Sequence, residues 1–177
     1  MRRVLVVLGT RPEAVKLGPV VRALRRRRAA VTLVSTGQHR QVLADALGPW
    51  GLSCDVDLGL MRRDQDHARL AGRVLEGLGP HLARLKPALT LVQGDTTTAA
   101  AAALACHFAK VPVGHVEAGL RSGDPANPFP EEGNRVLADH LSALRFAPTR
   151  AALGNLRREG LGPSVVAEAR APTTVEL

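Results

Sequence analysis

Acidic side chains recur beside glycine at the ends of apolar runs in this chain. Gly94-Asp95-Thr96-Thr97-Thr98 and Glu117-Ala118-Gly119-Leu120-Arg121 each follow a run that reads as a buried strand. Phe129-Pro130-Glu131-Glu132 places two acids at a helix start, where the dipole favours negative charge. That setting keeps a carboxylate ionised, as a general base requires, unless burial raises its pKa. Asp95, Glu117 and Glu131 all map to the loop edge of one sheet. Carboxylates converging there with arginine suit proton transfer at carbon.

Each acid also has a plainer reading. Asp95 or a neighbouring threonine could simply cap the following helix, although capping needs only one such residue. Glu117 could be a surface carboxylate paired with Arg121. His115 shares strand parity with Glu117, and a buried, hydrogen-bonded histidine is the reading to beat. His-x-Glu occurs in zinc deaminases, but the Pro-Cys-x-x-Cys partner is missing, so no metal is expected. The first turn, Gly9-Thr10-Arg11-Pro12-Glu13, lies between a strand and a helix whose free N–H groups could face an anion. Arg11 adds a planar donor suited to phosphate, and Lys16 follows one turn later. The segment is neither G-x-G-x-x-G nor a P-loop, so NAD and ATP are not indicated and no cofactor is expected.

Positioning these groups takes alternating strands and helices. Apolar runs at Val4–Leu8, Ala30–Ser35, Leu89–Gln93, Pro112–Val116 and Leu144–Ala147 read as strands, with a short extended piece near Cys54–Leu58. Helical patterns separate them, which predicts an α/β fold: a Rossmann-like parallel sheet with helices on both faces. The long helix from Gln65 to Leu85 is expected to kink or break at Gly79-Pro80. Thr149 reads as an N-cap and Gly160 as a C-terminal glycine. After Gly160 the periodicity is lost, and 161–177 reads as one short strand or a loose tail.

The 177 residues suffice for one domain with a sizeable core. The formal charge is +8, and only Lys16, Lys86 and Lys110 of 24 basic residues are lysine. A basic chain can bind polyanions, but stacking on single strands needs aromatics, which make up 2% here. Arg25-Arg26-Arg27-Arg28 fits the exposed end of the first helix, and no nucleic-acid partner is expected. Cys54 and Cys106 form no C-x-x-C, and nothing suggests a disulfide framework. The N-terminal apolar run is short for a signal peptide and no stretch approaches a membrane span, so a soluble cytoplasmic protein is the default.

Five segments occur together in one order: Gly9-Thr10-Arg11-Pro12-Glu13-Ala14-Val15-Lys16, Thr36-Gly37-Gln38-His39-Arg40, Gly94-Asp95-Thr96-Thr97, Gly114 through Gly123, and Pro128-Phe129-Pro130-Glu131-Glu132-Gly133-Asn134-Arg135. Together they closely resemble the non-hydrolysing bacterial UDP-N-acetylglucosamine 2-epimerases over roughly residues 3–160. The resemblance implies the N-terminal domain of a glycosyltransferase-B-type fold, with the site in a cleft between two domains. It implies conversion of UDP-GlcNAc to UDP-ManNAc by C2 deprotonation, elimination of UDP to a glycal, and re-addition. Asp95, Glu117 and Glu131 match the family's acid/base carboxylates. Arg11 and Lys16 match residues near the nucleotide sugar, and His115 and Arg135 are taken as substrate-binding candidates with them. Gln38, His39 and Gln41 match a patch that binds a second, regulatory UDP-GlcNAc in some members. A homodimer and a place in cell-surface polysaccharide biosynthesis are also implied.

Two departures stand out. Asp64 replaces the family's arginine before Gln65, which bears on the regulatory patch. The family's chain is also about twice as long. The expectation is therefore an epimerase domain at 1–160, a divergent tail at 161–177, and a second domain lost by truncation, frameshift or fragmentation. Such a domain alone should turn over slowly or not at all, because one wall cannot exclude water or position UDP. The competing readings are a non-catalytic nucleotide-sugar-binding or dimerisation module, a polyanion-binding protein, and a hydrolysing epimerase releasing UDP and ManNAc.

Overall fold

A computed structural model describes residues 3–37, 40–62, 65–162 and 165–166. Seven strands form one sheet in the order β3-β2-β1-β4-β5-β6-β7, and every pairing is parallel. They are β1 (Arg3–Leu8), β2 (Ala30–Ser35), β3 (Val56–Asp57), β4 (Leu89–Gln93), β5 (Val113–Val116), β6 (Leu144–Phe146) and β7 (Val165–Val166). The helices are α1 (Arg11–Arg26), α2 (Arg40–Leu47), α3 (His67–Leu85), α4 (Thr97–Phe108), α5 (Glu131–Leu141) and α6 (Arg150–Arg158). Among the described residues no helix is long and apolar enough to cross a membrane.

The period-2 pattern of β1 explains the layering. Leu5 and Val7 enter one core with α3 and α4, whereas Val6 and Leu8 enter the other with α1 and α2. The sheet is thus covered on both faces, as the alternating apolar runs predict. A third, smaller cluster of Ala118, Ala147, Ala152 and Leu156 seats α6. Pro80 does not break α3, which runs unbroken to Leu85. Its buried residues Leu70, Val74, Leu78 and Leu82 keep a four-residue spacing across the proline, and Pro80 itself faces solvent. Packing of that stripe outweighs the lost hydrogen bond.

Register decides where the chemistry can sit. Leu8 pairs with Ser35, Gln93 with Val116, and Val116 with Phe146, so the carboxyl ends lie level. The strand order reverses between β1 and β4, and ligands of open parallel sheets bind outside the carboxyl ends at such a switch point. The turns after β1, β4 and β5 carry Gly9–Thr10, Gly94–Thr96 and Glu117–Gly119 to that edge. Val165 and Val166 pair with β6, and the rest of the tail lies outside the described residues apart from Leu161 and Gly162.

Candidate active site at the carboxyl edge of the sheet

Two turns at the switch point are clamped by one buried carboxylate. Glu13, in the first turn of α1, is 2% exposed. Its Oε2 accepts from Gly9 N and Thr10 N at 2.5 and 2.6 Å, and its Oε1 accepts from Thr96 Oγ1 at 2.6 Å. Burial pushes the Glu13 pKa up, against the three hydrogen bonds that favour the anion. The neighbouring Gly9 must be glycine because a Cβ there would lie 2.7 Å from Thr98 Oγ1 of α4. Thr96 also caps α4, accepting from Ala99 N at 3.0 Å. The capping job therefore falls to Thr96 and not to Asp95.

Glu117 lies just past the end of β5 with φ +70°, a left-handed conformation that a residue with a side chain seldom adopts. Such outliers persist where surrounding contacts over-determine them, and they gather at functional sites. Its carboxylate accepts from Lys16 Nζ at 2.8 and 2.7 Å through both oxygens, and from Gln93 Nε2. Arg121 is not its partner. That guanidinium turns away to Asp139 Oδ2 at 2.8 Å and to Glu159 at 2.7 Å. The Glu117–Arg121 pair, the plainer reading of the local sequence, gives way to a lysine 101 residues away, because β1, β4 and β5 are neighbours in the sheet.

A cleft of about 440 Å³ collects Arg11, Glu13, Lys16, Gln93, Asp95 and Glu117. A smaller pocket of about 160 Å³ adjoins it and includes Asp95, Thr97, Glu131, Asn134 and His67. Asp95, Thr10 and Thr96 line both. The acids are thus arranged in sequence along one edge: Glu117 faces the larger space, Asp95 forms the shared wall, and Glu131 faces the smaller space. Asn134 Nδ2 donates to Asp95 O at 3.0 Å and ties α5 to the β4 turn. Arg135 Nη2 lies 3.9 Å from Asp95 Oδ2 and its Nε lies 3.0 Å from Glu132.

Glu132, next to Glu131, has a different job. It is buried and accepts from Ser122 N and Gly123 N at 3.0 to 3.2 Å. Burial alone would raise its pKa, but those N–H groups and Arg135 together hold it below the usual carboxylate range. Adjacent acids therefore divide between the cleft wall and the loop that precedes α5. His115 is fully buried beneath the cleft, with Nδ1 2.6 Å from Asp139 Oδ1 and Nε2 2.7 Å from Gly94 O. It does not line either space, which favours the buried histidine over a direct substrate contact.

Gln41 is exposed on α2 and donates to Asp45 Oδ1 at 2.9 Å. Gln38, His39 and Asp64 lie outside the described residues. Among the described residues, no group of three or more His, Cys, Asp or Glu side chains is placed to hold a metal ion. Glu13, Gln93, Asn134 and Asp139 escaped notice as individual residues in the sequence. Only Glu13 and Asn134 carried a local signal, through their place beside candidate residues. Gln93 looks like any strand residue, and the partners of Asp139 are 18 to 24 residues away.

The family model described as UDP-N-acetylglucosamine 2-epimerase matches residues 22–169. The chain belongs to the UDP-N-acetylglucosamine 2-epimerase family. The UDP-N-acetylglucosamine 2-epimerase of Escherichia coli K12 is 46% identical over 163 residues, which are 92% of this chain and 43% of that protein. The structure of the Neisseria meningitidis UDP-GlcNAc 2-epimerase bound to UDP-GlcNAc superposes with a TM-score of 0.89 at 40% identity, covering 93% of this chain and 46% of that one. The Methanocaldococcus jannaschii UDP-GlcNAc 2-epimerase in complex with UDP-GlcNAc and UDP gives 0.85 at 37% identity, covering 93% and 45%. A glycosyltransferase, SnogD from Streptomyces nogalater, shares the fold at a TM-score of 0.54 and 16% identity. The chain spans under half the length of these epimerases.

Proposed function

We propose that this chain carries the acid/base half of a UDP-N-acetylglucosamine 2-epimerase site, which interconverts UDP-GlcNAc and UDP-ManNAc. The observation that carries the reading is the row of three carboxylates, Glu117, Asp95 and Glu131, along two adjoining pockets, the larger of which also holds Arg11 and Lys16. Inversion at C2 needs a group to take the C2 proton and a group to return one on the other face. Between these steps the C1–O bond breaks and its electron pair leaves with UDP, giving a glycal; re-addition reverses this. Acids on a shared wall supply both proton positions. Arg11 and Lys16 supply positive charge where the diphosphate gathers negative charge. Lys16 already bridges to Glu117, so diphosphate binding and the state of that carboxylate are coupled. Arg135 Nη2 lies 3.9 Å from Asp95 Oδ2.

Residues 1–160 form the epimerase domain in this reading, and 161–177 a divergent tail. The relatives are more than twice as long as the stretch matched here. Turnover by these residues alone is correspondingly slow, since one wall neither excludes water nor fixes the departing UDP. The protein works in the cytoplasm, where nucleotide sugars are substrates, and serves cell-surface polysaccharide synthesis. In its full-length form it works as a homodimer.

The reading is tested by titrating UDP-GlcNAc into uniformly ¹⁵N-labelled protein. Amide signals from Gly9–Lys16, Gly94–Thr98 and Glu117 should move together along one binding curve. Shifts confined to the α2 region, or none at saturating ligand, would refute the placement. Free ManNAc as the only sugar product would instead favour the hydrolysing reaction.

A further inference from the structure

Beneath the cleft lies a buried charged network outside the proposed reaction. Asp139 is on the last turn of α5, fully buried, where the helix dipole disfavours an acid. It nevertheless accepts three hydrogen bonds. His115 Nδ1 donates at 2.6 Å, Gly119 N at 3.0 Å and Arg121 Nη1 at 2.8 Å. Burial would push its pKa up, but His115 and Arg121 outweigh that and hold it down. Arg145, from β6, donates through Nε to the Asp139 carbonyl at 2.6 Å, and Glu159, beyond α6, pairs with Arg121. The surrounding charges are therefore His115, Arg121, Arg145 and Glu159.

The contacts of this pair reach both acid-bearing turns. Gly94 O only accepts, so His115 uses Nε2–H as a donor toward the turn before Asp95. On the other side Asp139 holds Gly119 N, two residues after Glu117. Glu117 and Ala118 both donate backbone N–H to Phe146 O at 3.1 Å, which anchors the same turn to β6. Two turns from different strands thus share one rigid brace. A buried unpaired charge is costly, so breaking either partner shifts the brace instead of leaving it empty.

We propose that His115 and Asp139 are positioning residues that set the Gly94–Asp95 turn against the Glu117–Gly119 turn, fixing the relative placement of the two carboxylates. The proposal rests on Asp95 and Glu117 being among the acid/base carboxylates. It goes further in giving His115 a role that needs no contact with substrate, and in giving Asp139 a role at all.

The test uses Asp139→Asn and His115→Gln in the same chain, with nuclear Overhauser distances measured between the Gly94–Asp95 and Glu117–Gly119 turns. The Asp95 and Glu117 carboxylates do not touch the mutated pair: Glu117 is faced by Lys16 and Gln93, and Asp95 by Arg135. In a folded variant the distances between the two turns should change. C2 deuterium exchange should fall about 100-fold while UDP-GlcNAc affinity changes under about threefold, as expected of misplaced catalytic groups. Folded variants with the distances between the turns unchanged overturn the proposal. Loss of folding in both variants also overturns it, since the pair would then serve the fold alone. If wild-type protein shows no exchange, the function reading fails, while the distances still decide the positioning.

Discussion

The residues at this site divide by whether they face the cleft or hold those that do. Glu117 faces it in a left-handed conformation, with Lys16 and Gln93 fixing its carboxylate. Glu13 holds it from below. Removing the Glu13 carboxylate leaves the Gly9 and Thr10 N–H groups and the Thr96 hydroxyl without their acceptor. Glu13→Ala should therefore cost about 1–3 kcal/mol in a urea melt, with Glu13→Gln costing less because it keeps an acceptor. Lys16→Met should weaken UDP binding in calorimetric titration by about tenfold or more, since a charge-assisted contact to phosphate is lost. Asp95 and Glu117 could be singled out in the sequence because acids beside glycine at strand ends are local patterns. Glu131 is separated from Glu132 only by the family resemblance, since the physical difference is which one the Ser122–Gly123 backbone caps.

At the scale of elements, the strands and helices followed from hydrophobic period and turn residues. Ala30–Ser35 and Leu89–Gln93 match their strands residue for residue, and Thr149 caps α6 as expected, accepting from Ala152 N at 3.1 Å. Pro80 misled because proline acts locally, whereas the buried stripe of α3 acts along its whole length. The turn between β5 and the following loop is the most constrained. Gly119 has φ +85°, and a Cβ there would collide with the Ala152 carbonyl. Gly119→Ala should destabilise by about 1–3 kcal/mol, read as a lower Tm, and should disturb the Glu117 amide signal two residues away. The Asp139 brace makes a pH prediction. Its folded-state pKa is depressed, so its contribution is full above the ordinary aspartate value and is lost as pH falls through the lowered value. Stability of wild-type protein should drop across that acid range, and Asp139→Asn should flatten the drop; an unchanged profile would contradict it.

For the whole molecule, parallel strand order is what converts dispersed motifs into one site. The turns after β1, β4 and β5 are 80 to 110 residues apart along the chain for the first and the other two, yet they meet at one switch point. The sequence contains every one of these residues, but their convergence is a property of the sheet order. Long-range pairs such as Lys16–Glu117 follow from that order alone. The basic composition plays no part in the site beyond Arg11, Lys16 and Arg135; Arg25 and Arg26 end α1, and Arg25 pairs with Asp55 at 3.2 Å.

The central claim is that the three strand-edge carboxylates move the C2 proton of a nucleotide sugar. Its most direct test is NMR of UDP-GlcNAc in D₂O with purified protein, followed over days so that slow turnover accumulates. Deuterium should enter at C2 with UDP-ManNAc appearing, and the rate should fall about 100-fold or more in each of Asp95→Asn, Glu117→Gln and Glu131→Gln. Equal rates in the wild type and all three variants would contradict it.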